Sequence, residues 1–260
     1  MSGASRIRRH PARIRKMRDE ILVVHCGTVP YEEAREIQQR LAGRRQREEI
    51  SDVLLLLEHP PVYTRGRRAT PEELPMGAEW YERQGIEVRD TDRGGRVTYH
   101  GPGQLVAYPI VSLHPYGDDV HEFVRKMERA MIATLGEHGV QARTIEGLTG
   151  VWTRGEPPGS GTGAEEARKI GSIGIHVSRG VTTHGLSINV NNDLQPFEWI
   201  VPCGIEGLAS TSLSRELGSE QDIGAFGDRL AANFGEVYER TPVATDPGRV
   251  EVDLPAATLR

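Results

Sequence analysis

Apolar positions change their period from one stretch of the chain to the next, and the period indicates the element. Ile21–Val24 is a short apolar run that predicts a strand. Thr28 and Pro30 then open a helix with Ala34, Ile37 and Leu41 on one face. Val53–Leu57 is the longest unbroken apolar run; Val53–Glu58 reads as a buried strand ended by His59-Pro60-Pro61, and Val62–Thr64 stays extended. Residues 65–80, with Pro71, Pro75 and Gly77, read as loop. Glu87–Arg89, Val97–Tyr99 and Leu105–Ile110 read as strands, separated by a tight turn at Arg93-Gly94-Gly95 and a break at Gly101-Pro102-Gly103. Asp118 and Asp119 cap a helix with Phe123, Val124, Met127, Met131 and Leu135 at helical spacing, stopped by Gly136 and Gly139. Val151–Thr153 and Ile170–Val177 form the arms of a hairpin around a Gly/Pro-rich loop, 154–168. Thr182–Asn191 is a strand with Leu186, Ile188 and Val190 facing one way, and Ile223, Phe226, Leu230, Phe234 and Val237 mark a last helix.

Strands separated by hairpin-length breaks, with few helices, predict an α+β fold: a mixed β-sheet flanked by helices rather than regular βαβ winding. The 260 residues divide into a basic arm over 1–18, one domain over 19–240 and a polar C-terminal tail over 241–260. No apolar run approaches the roughly 20 residues of a membrane span. The N-terminus lacks the apolar core of a signal peptide, so a cytoplasmic location is expected. Cys26 and Cys203 are too few for a disulfide framework or a Cys-rich zinc site.

Charge is placed unevenly. The arm holds Arg6, Arg8, Arg9, Arg13, Arg15, Lys16 and Arg18 and no acid, which leaves 25 basic against 37 acidic residues elsewhere. An acidic body does not suit phosphate-backbone binding, so no nucleic-acid partner is expected. For the arm itself a disordered tail, an upstream start with Met17 as the true first residue, a transit segment and a nucleic-acid contact all stay open. Only three of the 32 basic side chains are lysines, Lys16, Lys126 and Lys169. An amine can give and take a proton near neutral pH, whereas a guanidinium cannot.

Two side chains stand out. Cys203 lies in Val201-Pro202-Cys203-Gly204, where proline and glycine fix a turn that can present a thiol to a substrate; an incidental small hydrophobe is the other reading. Lys169 opens Lys169-Ile170-Gly171-Ser172-Ile173-Gly174, and simple alternation puts it on the face of Ile173, Ile175 and Val177. There it is either a desolvated proton acceptor or an edge lysine reaching out of the sheet. A thiol beside it favours the first, because a base next to cysteine makes thiolate. The run Arg93–Gln104 (RGGRVTYHGPGQ) is dense in glycine. Glycines let a backbone approach a ligand closely, and they equally make hairpin turns; no phosphate-loop pattern is present. His59, His100 and His184 are scattered at strand edges without metal-ligand spacing, so no metal site is expected. No G-x-S-x-G elbow occurs either.

Four stretches in order, Leu57–Thr64 (LEHPPVYT), Arg93–Gln104, Lys169–Gly174 followed by Thr183–Asn191 (THGLSINVN), and Pro202-Cys203-Gly204, closely resemble the lipoyl(octanoyl) transferase family of lipoate biosynthesis over roughly residues 20–215. The resemblance implies the fold of biotin and lipoate ligase catalytic domains, with 19–240 as the catalytic domain. It implies transfer of an octanoyl group from acyl carrier protein to a lysine of a lipoyl domain, in 2-oxoacid dehydrogenase complexes or the glycine cleavage H protein. Cys203 matches the acyl-thioester nucleophile, and Lys169 the lysine that favours the thiolate and shuttles protons. Arg93, Gly94, Gly95, Arg96, Val97, Thr98, Tyr99 and His100, then Ser172, Ile173 and Gly174, then Gly185, Leu186 and Ser187, match its acyl-substrate-binding segments. Thioester exchange is nearly isoenergetic and amide formation runs downhill, so neither ATP nor a cofactor is implied. Backbone N–H groups at Gly94–Gly95 or Cys203–Gly204 are the expected oxyanion donors. An ATP-dependent lipoate or biotin ligase on the same fold is the alternative, and it needs no cysteine nucleophile.

Overall fold

The structure is a computed structural model and describes residues 19–161, 165–201 and 208–252. Cys203 and Gly204 therefore lie outside the described residues, as does the arm over 1–18.

Among the described residues, eight strands make the main sheet: β1 (Glu20–Thr28), β2 (Asp52–Glu58), β6 (Gln104–Ile110), β7 (Ala142–Ile145), β8 (Leu148–Thr153), β9 (Lys169–Ser178), β10 (Val181–Asn189) and β11 (Thr241–Ala244). Their spatial order is β11-β1-β2-β6-β10-β9-β8-β7. β1 is parallel to β2 and β11, and the remaining pairings are antiparallel, so the sheet is mixed as the strand spacing predicts. A second sheet, β4-β3-β5, joins β3 (Val62–Arg65), β4 (Glu87–Asp90) and β5 (Val97–His100).

The unbroken apolar run of β2 is explained by helices on both faces. Leu54 and Leu56 join Leu105, Ala107, Leu186 and Ile188 under α3 (Val120–Glu137) and α6 (Ile223–Tyr238). Val53, Leu55 and Leu57 join Val106 and Tyr108 under α1 (Tyr31–Gln46), which contributes Ala34, Ile37 and Leu41. Each fully buried leucine is worth about 1.5–3 kcal/mol relative to exposure. The aspartates start the helices. Asp119 accepts from the Glu122 N–H at 2.9 Å and Asp222 from the Ala225 N–H at 3.0 Å. Asp118 is not a second cap but the ion-pair partner of His114, and α3 runs through Gly136 before Gly139 ends it.

Several segments differ from their sequence reading. The stretch read as loop over 65–80 holds a single 3-10 turn, Pro71–Glu73, and the start of a short helix, α2 (Ala78–Arg83). β7 carries only Ile145 as a buried side chain, so its sequence has no apolar period to read. The segment read as a polar tail begins with β11, which pairs along β1 from Glu20↔Thr241 to Val23↔Ala244. Val250 and Val252 then pack under α1. No helix among the described residues is long and apolar enough to cross a membrane.

The small sheet is held together by rings. Tyr63, Tyr81, Tyr99 and Phe197 pack with Ile86, Val97 and Ile200. Their centroids lie 4.9 Å apart for Tyr63–Tyr81 and 5.5 Å for both Tyr63–Tyr99 and Tyr99–Phe197. Buried hydroxyls need partners, and both find them on the segment leading to residue 201. Tyr63 donates to the Pro196 carbonyl at 2.6 Å and Tyr81 to the Trp199 carbonyl at 2.8 Å.

Candidate functional site

Strands β8 and β9 pair at Val151↔Gly171 and Trp152↔Lys169, with a register shift between them, so two steps on β9 match one on β8. This bulge alters the face expected for Lys169. Ile170 enters the core under α3, and Lys169 turns to the other side, with its ammonium 5.1 Å from the centroid of the buried Trp152 ring. Lys169 therefore does not share the face of Ile173, Ile175 and Val177, which pack toward the α3–α6 core. Lys169 is only 6% exposed, and its stem crosses Gly150. A Cβ on Gly150 would lie 2.5 Å from the Gly171 carbonyl and 3.0 Å from Lys169 Cε, so only glycine fits beneath the lysine. The buried Glu128 of α3 accepts the Gly150 N–H at 3.0 Å and fixes that backbone.

The strand of Lys169 also grips the chain beyond Cys203. The Lys169 N–H donates to the Ala209 carbonyl, and the Thr211 N–H donates to the Lys169 carbonyl, both at 2.9 Å. A line of buried amides extends this grip. His100 donates from Nδ1 to Gln104 Oε1 at 2.6 Å, and Gln104 Nε2 donates to Asn189 Oδ1 at 2.9 Å. Asn189 Nδ2 donates to the Thr211 carbonyl at 2.9 Å. Gln104 and Asn189 lie within stretches that carry the family resemblance, yet nothing in the sequence says that they touch.

On the Lys169 side of the sheet, Ser172 pairs with Ser187 and Gly174 with Gly185. Short side chains here let the Arg93–Arg96 loop lie on the sheet. The Gly94 N–H donates to the Ile175 carbonyl at 2.9 Å, and a Cβ on Gly174 would meet the Gly94 carbonyl at 2.8 Å. Gly94 thus spends its N–H inside the fold, which removes it as an oxyanion donor. Arg93 is a brace. Its buried guanidinium donates to the Thr64 carbonyl at 2.5 Å, to Thr64 Oγ1 at 2.8 Å, to the Arg96 carbonyl at 2.8 Å and to the Gly94 carbonyl at 2.9 Å.

Lys169, Ser172, Gly174, Gly185 and Ser187 are thus gathered with Arg93–Arg96 on one side of the sheet. Thr98 pairs with Thr64, His100 starts the amide line, and Val97 and Tyr99 belong to the aromatic cluster. Ile173 and Leu186 turn their side chains to the opposite core. Cys203 lies outside the described residues.

His59, His100 and His184 are all buried. His59 donates from Nδ1 to the Val29 carbonyl at 2.6 Å, so its Nε2 accepts the Tyr108 hydroxyl at 2.7 Å. Burial lowers His59 to about 4 and His100 to about 3; the neighbouring His59 adds to the shift at His100. Both imidazoles are neutral at pH 7. His184 is held at φ 57°, an uncommon conformation for a side-chain-bearing residue. Its Nε2 lies 2.7 Å from Asp92 Oδ1, and this contact holds the Asp92 carboxyl well below the usual range. Cys26 is buried, and desolvation pushes its thiol up to about 12, so it has no thiolate to offer near neutral pH.

Glu73 escaped the sequence reading entirely. It is 2% exposed, pairs with Arg96, and accepts the Val97 N–H at 3.2 Å. Glu73 follows the exposed Glu72 in a proline-containing loop, and nothing in the sequence tells the buried acid from its neighbour.

The described geometry is that of a domain presenting a buried lysine and a glycine-rich loop on one side of a mixed sheet. Residues 30–235 match the family described as the lipoyl protein ligase A/B catalytic domain, and the chain belongs to that family. Its curated relatives include an octanoyltransferase of Chloroflexus aggregans, 45% identical over 86% of this chain and 97% of that one. A second, from Roseiflexus sp., is 42% identical over 91% and 95%. Among solved structures, a bipartite lipoate protein ligase of Thermoplasma acidophilum superposes with a TM-score of 0.66 at 18% identity, covering 88% of this chain and 87% of that one. Lipoate-protein ligase A bound with ATP gives 0.64 at 17%, covering 88% and 89%. These two likenesses concern the fold.

Proposed function

We propose that this protein is an octanoyltransferase that moves a medium-chain acyl group from acyl carrier protein to a lysine of a lipoyl domain. The Cys203 thiolate attacks the carrier thioester, the tetrahedral intermediate collapses, and the carrier thiol leaves with a proton from the Lys169 ammonium. The acceptor lysine then attacks the Cys203 thioester and gives up a proton to the Lys169 amine, and amide formation frees Cys203. Each backbone donor on the developing oxyanion contributes about 3 kcal/mol. The observation that carries this reading is the placement of Lys169. A bulge turns it away from the core, and its own backbone holds Ala209 and Thr211, the chain that follows Cys203. The Arg93–Arg96 loop, which the resemblance assigns to the acyl substrate, lies against Gly174 on the same side of the sheet. A cytoplasmic location belongs to the same reading.

Intact-protein mass after incubation with octanoyl-acyl carrier protein, without ATP, tests it on wild type and Cys203→Ser. An octanoyl adduct on wild type alone, discharged by a lipoyl domain, is expected. The likeness in fold to an ATP-bound ligase supports a second reading, an ATP-dependent lipoate ligase. No adduct, together with transfer from free fatty acid plus ATP, would establish that reading instead.

A further inference from the structure

We propose that Glu73 is a positioning residue that sets the acyl-binding loop and the nucleophile-bearing chain in one register; the proposal rests on the transferase reading above. Glu73 ends the single turn Pro71–Glu73 and is buried. One carboxylate oxygen takes the Arg96 guanidinium and the other takes the Val97 N–H. Its own backbone carbonyl accepts the Val201 N–H at 3.1 Å. Val201 stands directly before Pro202-Cys203. A single residue thereby ties the end of the Arg93–Arg96 loop to the chain entering Cys203.

The carboxylate, held at both oxygens, sets where the turn and its Val201-bonded carbonyl lie. Leu74, its neighbour, packs against the aromatic cluster and keeps the turn folded there. Burying a carboxylate is costly unless it is fully paired, and here the pairing is directional rather than space-filling. Arg96 is 39% exposed at its side chain, so the pair sits at the edge of the site and not within the core. On the transferase reading the loop meets the acyl group, and Val201 precedes Cys203 by two residues in the sequence. Their relative placement then passes through Glu73, and displacements near 1 Å in such geometry cost about a hundredfold in rate.

Glu73→Gln keeps the shape but turns an amide nitrogen toward a donor. At saturating octanoyl-acyl carrier protein, single-turnover acylation of Cys203 is expected to slow by about 30-fold, while the half-saturating donor concentration moves less than about threefold. Arg96→Gln should match it, and the double variant should be no slower than either single one. Hydrogen exchange reads the same tie without any activity. Peptides covering 93–97 and 198–201 should both exchange faster in Glu73→Gln. An unchanged acylation rate, additive losses in the double variant, or unchanged exchange over 198–201 would overturn the proposal. If Glu73→Gln does not fold, Arg96→Gln alone carries both readouts. Absence of any Cys203 adduct on wild type strikes the transferase reading, and the exchange result then judges the Glu73 tie by itself.

Discussion

The two sheets are built by different physics and hold opposite ends of the same short stretch. The eight-stranded sheet is an apolar sandwich. Alternate residues of β2 and β6 go to separate cores under α1 and under α3 with α6. The three-stranded sheet is an aromatic cluster whose hydroxyls and charges are bonded to backbone, through Tyr63, Tyr81, Arg93 and Glu73. The large sheet holds Ala209 and Thr211 through Lys169, and the small one, with α2 and the Pro71–Glu73 turn beside it, holds Pro196, Trp199 and Val201. Stability is concentrated in the first, because apolar burial is additive and tolerant of direction. Alignment is concentrated in the second, because a hydrogen bond works at one distance and angle. The proposed transfer sets an acyl carbonyl, a thiol and an amine together, and it benefits from keeping these tasks apart.

The comparison breaks most readily at Lys169, the residue of the large sheet to which the proposed mechanism gives proton transfer. Lys169→Met should lower acylation of Cys203 by about 10²–10⁴-fold, the range for loss of a general acid–base group, with little loss of folding. A single-turnover assay showing less than a tenfold change would remove the lysine from the mechanism. Next comes the core itself. Phe234 stacks on Tyr238 at 4.1 Å under the large sheet, and Phe234→Ala should cost about 3–5 kcal/mol of unfolding free energy. Per folded molecule the acylation rate should stay near wild type. A large rate defect in the folded fraction would show that the large sheet also governs alignment.

Acid should act at the seam between the regions, where His59 follows β2 and His100 ends β5. Their folded values of about 4 and about 3 lie below an unfolded value near 6.5, so the unfolded chain binds more protons in between. Their stabilisation is complete above pH 6.5 and falls, by a few kcal/mol on the order-of-magnitude scale, as pH drops through that window. Thermal melts between pH 7 and pH 4 should show this slope, and His59→Gln should flatten part of it. Equal slopes in the two proteins would exclude His59 as a source. The mildest test is Tyr63→Phe, which leaves the Pro196 carbonyl without its donor and should cost about 1–3 kcal/mol. Unlike Phe234→Ala, it should slow acylation more than its loss of stability accounts for; a stability loss alone would erase the distinction between the sheets.

Much of the large sheet was legible because its signal is periodic. The runs at Ile21–Val24, Val53–Glu58 and Leu105–Ile110, the Asp119 cap and the hairpin from Val151 to Val177 all lie on observed elements. β11 and β7 were not legible. A short edge strand such as Thr241–Ala244 buries little and is selected by a neighbour with free hydrogen-bonding groups. The resemblance carried the family, because four motifs in fixed order are far more specific than any single cysteine or lysine.

By itself, then, the sequence determined the α+β class, the two helix-covered faces and the family, since these follow from apolar period and from motif order. Tertiary structure alone decided which face Lys169 occupies, because a bulge of one residue inverts the alternation that the sequence implies. It alone decided that Gly94 has no N–H to spare, that Gln104 meets Asn189, and that Glu73 joins Arg96 to Val201. Each is a pairing of polar groups far apart in the chain, and a polar residue carries no mark of its partner until the apolar framework brings the two together.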